Sequence, residues 1–235
     1  MNKTKRWVLA LVVLSLVAIA LGVNGYLAAQ DDLPLVELPA SASQDDRLAV
    51  ILSGDGGWAD LDKWFGADFQ KRGIATLGIN CLRYFWKKRT PDEVSAALEE
   101  TLRHYLDTWQ KQRLLLIGYS FGANWLPFLV NRLPDDLKSR VTLVVLLSPG
   151  QYANLEIQMG DWMRSNIHRP GALSTQDEAS QIALPTLCVW GKQDPEPTIC
   201  PALSGKNVRK LPKKGGHHYD GNYASIENVI LSSLP

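Results

Sequence analysis

At residues 114–123 the chain reads Leu-Leu-Leu-Ile-Gly-Tyr-Ser-Phe-Gly-Ala, an apolar run followed at once by Gly-x-Ser-x-Gly. A helix-like segment, Asn124 to Arg132, comes next. This order is typical of a sharp strand-to-helix turn that raises a serine hydroxyl above the end of a sheet. In such a turn, side chains at Gly118 or Gly122 would collide with the neighbouring strand and helix. The pattern predicts Ser120 as a nucleophile, although an ordinary βα turn can carry the same residue types.

The rest of the chain alternates short apolar runs with amphipathic segments. Two helices are clear: Asp62 to Arg72, stopped by Gly73, and Pro91 to Gln110, which opens on the capping sequence Thr90-Pro91-Asp92-Glu93. Continuous apolar runs indicate parallel strands covered on both faces. We therefore predict an α/β fold with a mostly parallel sheet of about six strands and helices on both faces. The predicted strands are Leu48–Leu52, Ile74–Ile79, Arg113–Ile117, Val141–Leu147, Thr186–Trp190 and Val208–Leu211.

The first thirty residues have the composition of a targeting segment. Three basic residues precede a charge-free apolar run, Trp7 to Val23, and Leu27-Ala28-Ala29 offers small residues to a signal peptidase. No cysteine follows closely, so a lipoprotein anchor is not expected. The charge arrangement predicts export of the remainder to the periplasm. We expect residues 1–30 to be a signal peptide or a retained membrane anchor, residues 31–46 a polar linker, and residues 47–235 one catalytic domain.

Charge and cysteine content narrow the possible environments. The net charge is only +1, so nothing draws the whole chain to nucleic acid, and no nucleic-acid partner is expected. Three cysteines suit an oxidising compartment. Cys188 and Cys200 flank a short turn-rich loop, whereas Cys81 is distant in sequence. We expect a Cys188–Cys200 disulfide, with two buried free thiols as the alternative.

A serine hydroxyl needs a base, and the base needs an orienting acid. Asp194 follows the strand that ends at Trp190, and His217 follows the last strand, in the chain order Ser, Asp, His. The carboxyl ends of parallel strands would bring the three together. Glu196 is the alternative acid and His218 the alternative base. No further His or Cys cluster completes a metal site around the two histidines, and no metal or cofactor is expected.

An oxyanion hole requires backbone N–H donors aimed at the developing charge. One should be the amide of Phe121, directly after the nucleophile. The other should come from the loop Ser53-Gly54-Asp55-Gly56-Gly57-Trp58, with Asp55 and Gly56 as the candidates, because its glycines allow close backbone approach. This segment is not expected to be a phosphate-binding loop, since it lacks the Gly-Lys-Ser/Thr ending.

Two segments should border the pocket. The run Arg83-Tyr84-Phe85-Trp86-Lys87-Lys88-Arg89 mixes aromatic and basic residues after the second strand, and Lys206 to Lys214 leads into the histidine loop. Such surfaces suit anionic lipid interfaces, although a solvated face with partly buried aromatics is the alternative. The candidate substrate-binding residues are Arg83, Tyr84, Trp86 and Arg89. The irregular stretch from Gln151 to Ala183, with Met159, Trp162 and Met163, is either a lid or a surface excursion.

Four motifs together resemble the bacterial virulence protein VirJ/AcvB family. They are Gly54-Asp55-Gly56-Gly57-Trp58, Leu82-Arg83-Tyr84-Phe85-Trp86 with Arg89-Thr90-Pro91, Gly118-Tyr119-Ser120-Phe121-Gly122-Ala123 and Gly216-His217-His218-Tyr219-Asp220-Gly221. The resemblance runs from about residue 46 to the end. The chain is similar to the single-domain VirJ form, since longer members carry an extra N-terminal domain. Tyr219 stands where the family pattern has phenylalanine, which leaves the histidine role intact.

This resemblance implies an exported α/β-hydrolase. Some relatives hydrolyse aminoacyl-phosphatidylglycerol and release lysine or alanine, and relatives are linked to virulence and type IV secretion. The implied partners are an anionic aminoacylated phospholipid at the membrane surface and components of a secretion system. Arg83 and Arg89 are then candidates for the lipid phosphate, and Asp55 or Asp220 for the amino group. A generic esterase or thioesterase, and a non-catalytic adaptor that keeps a hydrolase fold, are the alternatives.

Overall fold

The computed structural model describes residues 32–40, 45–158 and 169–234. Two sheets, seven α-helices and one 3-10 helix, Tyr219–Gly221, account for the regular structure of those residues. In chain order the strands are Leu35–Leu38 (β1), Arg47–Leu52 (β2), Ala75–Ile79 (β3), Arg113–Tyr119 (β4), Val141–Leu147 (β5), Tyr152–Ala153 (β6), Leu173–Ser174 (β7), Thr186–Gly191 (β8) and Val208–Lys213 (β9). The helices are Asp60–Lys71 (α1), Cys81–Tyr84 (α2), Pro91–Thr108 (α3), Phe121–Arg132 (α4), Asp135–Lys138 (α5), Thr175–Ala179 (α6) and Tyr223–Ser232 (α7).

The main sheet has seven strands in the order β1-β3-β2-β4-β5-β8-β9. All pairs from β3 to β9 are parallel, and only β1 is antiparallel to its neighbour. The six predicted strands are therefore confirmed, with ends that differ by no more than two residues. Their nearly continuous burial explains the unbroken apolar runs of the sequence.

The seventh strand corrects the linker predicted at residues 31–46. Leu35–Leu38 pairs with β3, Leu35 opposite Ile79 and Leu38 opposite Thr76. Prolines stand on both sides of the strand, and their carbonyl groups accept hydrogen bonds from the Asn80 amide (Pro34, 2.9 Å) and the Gln70 side chain (Pro39, 2.9 Å). Part of the predicted linker is thus an edge strand of the domain.

Helices cover both faces of the main sheet, as predicted. On one face α1 and α7 bury Phe65, Phe69, Ile226 and Ile230 against the sheet. On the other face α3 and α4 contribute residues such as Leu98, Leu102, Trp125 and Leu129. The capping box of α3 forms as expected: the Thr90 hydroxyl accepts from the Glu93 amide, and the Glu93 carboxylate accepts from the Thr90 amide at 2.8 Å.

The irregular stretch after β5 lies against α4. Strands β6 and β7 pair as a short antiparallel ribbon. Asn124 accepts from the Gly150 amide at 2.6 Å and donates to the Tyr152 carbonyl at 3.0 Å, while the Trp125 indole donates to the Asn154 carbonyl at 2.8 Å. Residues 159–168, with Met159, Trp162 and Met163, lie outside the described residues, and the lid role stays a prediction.

The predicted Cys188–Cys200 disulfide is present, and Cys81 is a buried free thiol. A disulfide fits an exported protein, because reducing compartments seldom keep one. Residues 1–30, predicted as a signal or anchor, lie outside the described residues. Within the described part of the chain, no helix combines the length and apolar character needed to cross a bilayer.

Candidate active site

Ser120 occupies the strained turn between β4 and α4. Its backbone has φ 52° and ψ −116°. Residues other than glycine rarely adopt a positive φ of this kind. The two flanking glycines are required sterically. A Cβ on Gly118 would lie 2.6 Å from the Gly122 oxygen, and a Cβ on Gly122 would lie 2.3 Å from the Leu52 oxygen. The predicted collisions are confirmed, and the turn holds the Ser120 side chain at the carboxyl end of the sheet.

Three strand ends bring the predicted residues together. Ser120 follows β4, Asp194 follows β8, and His217 follows β9, while β5 lies between β4 and β8. Because all four strands are parallel, their carboxyl ends meet at one edge. The Nε2 atom of His217 lies 2.8 Å from Oγ of Ser120, and its Nδ1 atom lies 2.7 Å from Oδ2 of Asp194.

The geometry distinguishes the alternatives that the sequence leaves open. Asp194 is the acid in contact with the imidazole, and its side chain is only 3% exposed. Glu196 supports it through the backbone, because the Glu196 amide donates to Oδ1 of Asp194 at 3.0 Å. One Asp194 oxygen is thereby fixed, which leaves the other for Nδ1 of His217. His217, not His218, contacts the serine.

His218 has a different partner. Its Nδ1 atom lies 2.6 Å from the hydroxyl of Tyr119, the residue just before the nucleophile. Burial raises the pKa of Tyr119 well above its usual range, so the phenol stays protonated and its O–H can take part in this hydrogen bond. The contact between Tyr119 and His218 is not among those predicted from the sequence. The signal that could have indicated it is the tyrosine at the second position of Gly-x-Ser-x-Gly.

The loop that carries His217 rests directly on the end of β8. A Cβ on Gly191 would lie 2.1 Å from the Gly216 oxygen, so only glycine allows this approach. Tyr219, buried and with φ 53°, donates from its hydroxyl to the Val189 carbonyl at 3.2 Å. The Ser148 hydroxyl donates to the Tyr219 oxygen at 2.9 Å. The Tyr219 hydroxyl therefore supplies polar contacts that fix the histidine loop.

The glycine-rich loop after β2 lies beside the nucleophile, as an oxyanion loop must. A Cβ on Gly54 would lie 3.6 Å from the Ser120 Cβ, and the Gly122 amide donates to the Ser53 carbonyl at 3.1 Å. The Phe121 amide begins α4, where an N–H has no intrahelical acceptor. Phe121, with Asp55 and Gly56, remains our prediction for the oxyanion donors.

The predicted substrate-binding residues divide into two pairs. Arg83 and Trp86 are exposed. Tyr84 and Arg89 are buried, contrary to their predicted place on the pocket rim. The Arg89 guanidinium lies 4.4 Å from the centre of the Tyr84 ring, and its Nε donates to the Tyr84 carbonyl at 3.3 Å. This pair therefore braces the turn after β3.

The arrangement can perform acyl transfer. A serine oxygen, an imidazole and a buried carboxylate are linked by hydrogen bonds beside the glycine-rich loop. Within residues 32–40, 45–158 and 169–234, no group of three or more His, Cys, Asp or Glu side chains could hold a metal ion.

Solved structures with the same fold are α/β-hydrolases. Est1E from Butyrivibrio proteoclasticus, solved with ferulic acid bound, is 14% identical, with a TM-score of 0.62 over 86% of this chain and 95% of that one. An alpha-beta serine hydrolase homologue from Coxiella burnetii is 14% identical, with a TM-score of 0.61 over 86% and 91%. YbtT, a type II thioesterase of yersiniabactin biosynthesis, is 18% identical, with a TM-score of 0.61 over 86% and 98%. At these identities the likeness shows the fold alone.

Sequence comparison gives a more specific result. No curated protein matches the chain. A family model described as "Bacterial virulence protein (VirJ)" matches residues 46–235, which is nearly the whole of the described domain.

Proposed function

We propose that this chain, which belongs to the VirJ family of bacterial virulence proteins, is an exported serine hydrolase. Its proposed substrate is the aminoacyl ester of lysyl- or alanyl-phosphatidylglycerol at the periplasmic membrane surface. Family membership and fold support a hydrolase. The observation that carries the proposal is the His217 imidazole, which bridges Ser120 at 2.8 Å and Asp194 at 2.7 Å.

Each residue has a defined step in the first half-reaction. The Ser120 oxygen attacks the ester carbonyl while its proton passes to Nε2 of His217. Asp194 stabilises the imidazolium that forms. The amide of Phe121 and an amide of the glycine-rich loop stabilise the negative oxygen of the tetrahedral intermediate. When that intermediate collapses, His217 returns the proton to the glycerol oxygen, and phosphatidylglycerol leaves an aminoacyl-serine behind.

The second half-reaction reverses the roles. His217 takes a proton from water, the resulting nucleophile attacks the aminoacyl carbonyl, and a second tetrahedral intermediate forms. Its collapse transfers the proton back to Ser120 and releases the free amino acid. The net change is hydrolysis of one ester bond.

Charged residues near the site suit both ends of this substrate. Arg83 is exposed and can meet a lipid phosphate with two parallel hydrogen bonds. Arg89 no longer serves as a phosphate candidate, because it is buried against Tyr84. Asp55 in the glycine-rich loop and Asp220 in the histidine loop are the proposed acceptors for the substrate ammonium group.

Purified enzyme and a Ser120→Ala variant test the proposal on four substrates: lysyl-phosphatidylglycerol, alanyl-phosphatidylglycerol, a nitrophenyl ester and an acyl thioester. We expect the wild type to release amino acid from one or both lipids, and the variant to lose about 10⁴-fold or more in turnover. The variant should keep its circular dichroism spectrum. Lipid hydrolysis that is undiminished in Ser120→Ala would refute the serine mechanism. Activity on the simple esters or the thioester alone would favour the general esterase alternative.

A fluorophosphonate probe separates the enzyme from an adaptor that only keeps the fold. We expect covalent labelling of Ser120 that disappears in His217→Ala, because the probe requires an activated serine. Absence of labelling in the wild type would favour the adaptor.

A further inference from the structure

The turn after β3 exposes an aromatic side chain to solvent. Trp86 is 52% exposed and, among the residues that the structure describes, it is the single large hydrophobic side chain left exposed. One exposed side chain on its own would need no explanation. Its neighbours make it distinctive.

Three exposed cations surround this indole in the sequence. Arg83, Lys87 and Lys88 are all exposed, and with Trp86 they form what we call the docking tip. Within residues 151–158, which form hydrogen bonds with this turn, the acidic residue is Glu156. It lies between Leu155 and Ile157, which form backbone hydrogen bonds with Arg89 and Phe85. Residues 83–88 themselves contain three basic side chains and no acidic one.

A buried aromatic residue anchors the docking tip to the domain. Phe85, the residue before Trp86, is buried, and its ring centre lies 5.0 Å from that of Phe121 and 4.5 Å from that of Trp125. The tip therefore projects from the segment that packs on the residue next to the nucleophile.

We infer that the docking tip binds the surface of an anionic lipid bilayer, with Trp86 in the interfacial region and Arg83, Lys87 and Lys88 against phosphate groups. Tryptophan prefers the interface because its ring is apolar and its N–H finds a polar partner there. Lysine and arginine gain from the negative surface potential of anionic lipids. The inference concerns attachment of the protein and holds for any ester that Ser120 cleaves.

The same chemistry argues against a protein as the occupant. Lysine is depleted in the buried centres of protein interfaces, because its ammonium would lose water without a matched partner. At the docking tip two lysines directly follow the exposed indole, so a protein covering Trp86 would have to desolvate both. A bilayer surface accepts the indole while the lysines stay hydrated.

A fluorescent label at the tip tests this with the full chain. Trp86→Cys and, as a control, Ser204→Cys are each labelled with an environment-sensitive fluorophore, since both positions are exposed. Ser204 precedes β9 and thus lies toward the opposite edge of the sheet. Vesicles contain phosphatidylcholine alone or an equal mixture with phosphatidylglycerol, without any aminoacyl ester. The readout therefore needs no hydrolysis, and its failure is distinguishable from failure of the proposed reaction.

We expect a blue shift at position 86 with phosphatidylglycerol vesicles, reversed by high salt, and none at position 204. In the position-86 background, Lys87→Glu/Lys88→Glu should raise the half-maximal lipid concentration at least about 30-fold, since each basic residue contributes about 1 kcal/mol. Lys71→Glu/Lys206→Glu carries the same charge change at exposed sites before β3 and β9 and should leave the response intact. Circular dichroism should show each variant folded.

Three results would overturn the inference. The first is no shift at position 86, or an equal shift with both vesicle types. The second is an equal loss of response in the two double variants. The third is a shift that appears without vesicles as protein concentration rises, which would assign the tip to contact with a second copy of the chain.

Discussion

The hydroxyl of Tyr119 and Nδ1 of His218 lie 2.6 Å apart, so the second histidine of the loop faces the residue before the nucleophile rather than the nucleophile itself. Two adjacent histidines thereby take separate roles. His217 bridges the serine and the acid, while His218 ties its loop to β4 through Tyr119.

This division predicts unequal effects of the two histidines. His217→Ala should lower kcat about 10⁴-fold or more, because the serine loses its base. His218→Ala should lower kcat no more than about tenfold, since only a loop contact is lost. Steady-state kinetics on a soluble ester measures both, with Tyr119→Phe as a variant that should match His218→Ala. A larger loss in His218→Ala than in His217→Ala would reverse the assignment of the base.

The acid can be tested without changing its shape. Asp194→Asn keeps the hydrogen bond from the Glu196 amide but offers His217 an amide in place of a carboxylate. We expect kcat to fall about 10⁴-fold, since the imidazole loses both its correct tautomer and its stabilising charge. Glu196→Gln is the matched control and should be nearly neutral, because only the Glu196 backbone contacts the acid. A large loss in Glu196→Gln would contradict this arrangement.

Two neighbouring glycines provide a steric test of the histidine loop. In Gly191→Ala the new methyl would lie 2.1 Å from the Gly216 oxygen, so the loop must move. We expect kcat to fall about 100-fold and the free energy of unfolding to fall by roughly 1–3 kcal/mol. In Gly216→Ala the methyl would meet only the Gln193 oxygen at 3.9 Å, and little should change. Equal effects of the two substitutions would disprove the close approach.

The disulfide should stabilise the fold around the acid. Cys188 and Cys200 are buried, and the loop that they close contains Asp194. Cys188→Ala/Cys200→Ala should lower the free energy of unfolding by about 3 kcal/mol, because the unfolded chain regains freedom. Denaturant unfolding with and without reductant measures this. Reductant should destabilise the wild type and leave the double variant unaffected; an equal response of the two proteins would count against it.

A buried carboxyl group on α7 makes stability depend on pH. Burial, together with the neighbouring Asp68 carboxylate on α1, raises the pKa of Glu227 from 4.5 to about 7, while Arg72, 3.5 Å away, opposes the shift. In the folded state Glu227 thus binds a proton that the unfolded chain gives up. Its contribution is complete below pH 4.5 and is lost as pH rises through about 7.

Glu227→Gln removes this titration while keeping the shape of the side chain. The difference in unfolding free energy between variant and wild type should move in favour of the variant by roughly 3 kcal/mol between pH 4.5 and pH 8. Chemical denaturation across that range measures it. A constant difference across the range would show that Glu227 has the same pKa in the folded and unfolded states.

The sequence is most informative where one residue type alone satisfies the local geometry. Gly118 and Gly122 admit no Cβ, and their spacing around Ser120, between an apolar run and a helix-like segment, predicts the turn. The long apolar runs predict the parallel strands for a related reason, since burial on both faces leaves no place for polar residues. The chain order of Ser120, Asp194 and His217 then selects the residues that the strand ends bring together.

It is least informative where side-chain direction decides the outcome. Arg89 and Lys88 are adjacent and equally basic, yet Arg89 is buried over Tyr84 and Lys88 is exposed. Their residue types alone do not indicate that Arg89 packs on Tyr84 while Lys88 is a surface charge. The strand Leu35–Leu38 escapes prediction because four residues between two prolines carry too little pattern, and its pairing with β3 is a long-range contact.

The two borders of the main sheet have a consequence for behaviour in concentrated solution. An unpaired strand border invites another chain to add to it. At one border, Pro34 and Pro39 confine the open strand to four residues. At the other, β9 carries three cations, Arg209, Lys210 and Lys213, and Pro212, which lacks an N–H. Neither border offers a long neutral template, so the folded domain should resist edge-to-edge strand addition even when it is crowded.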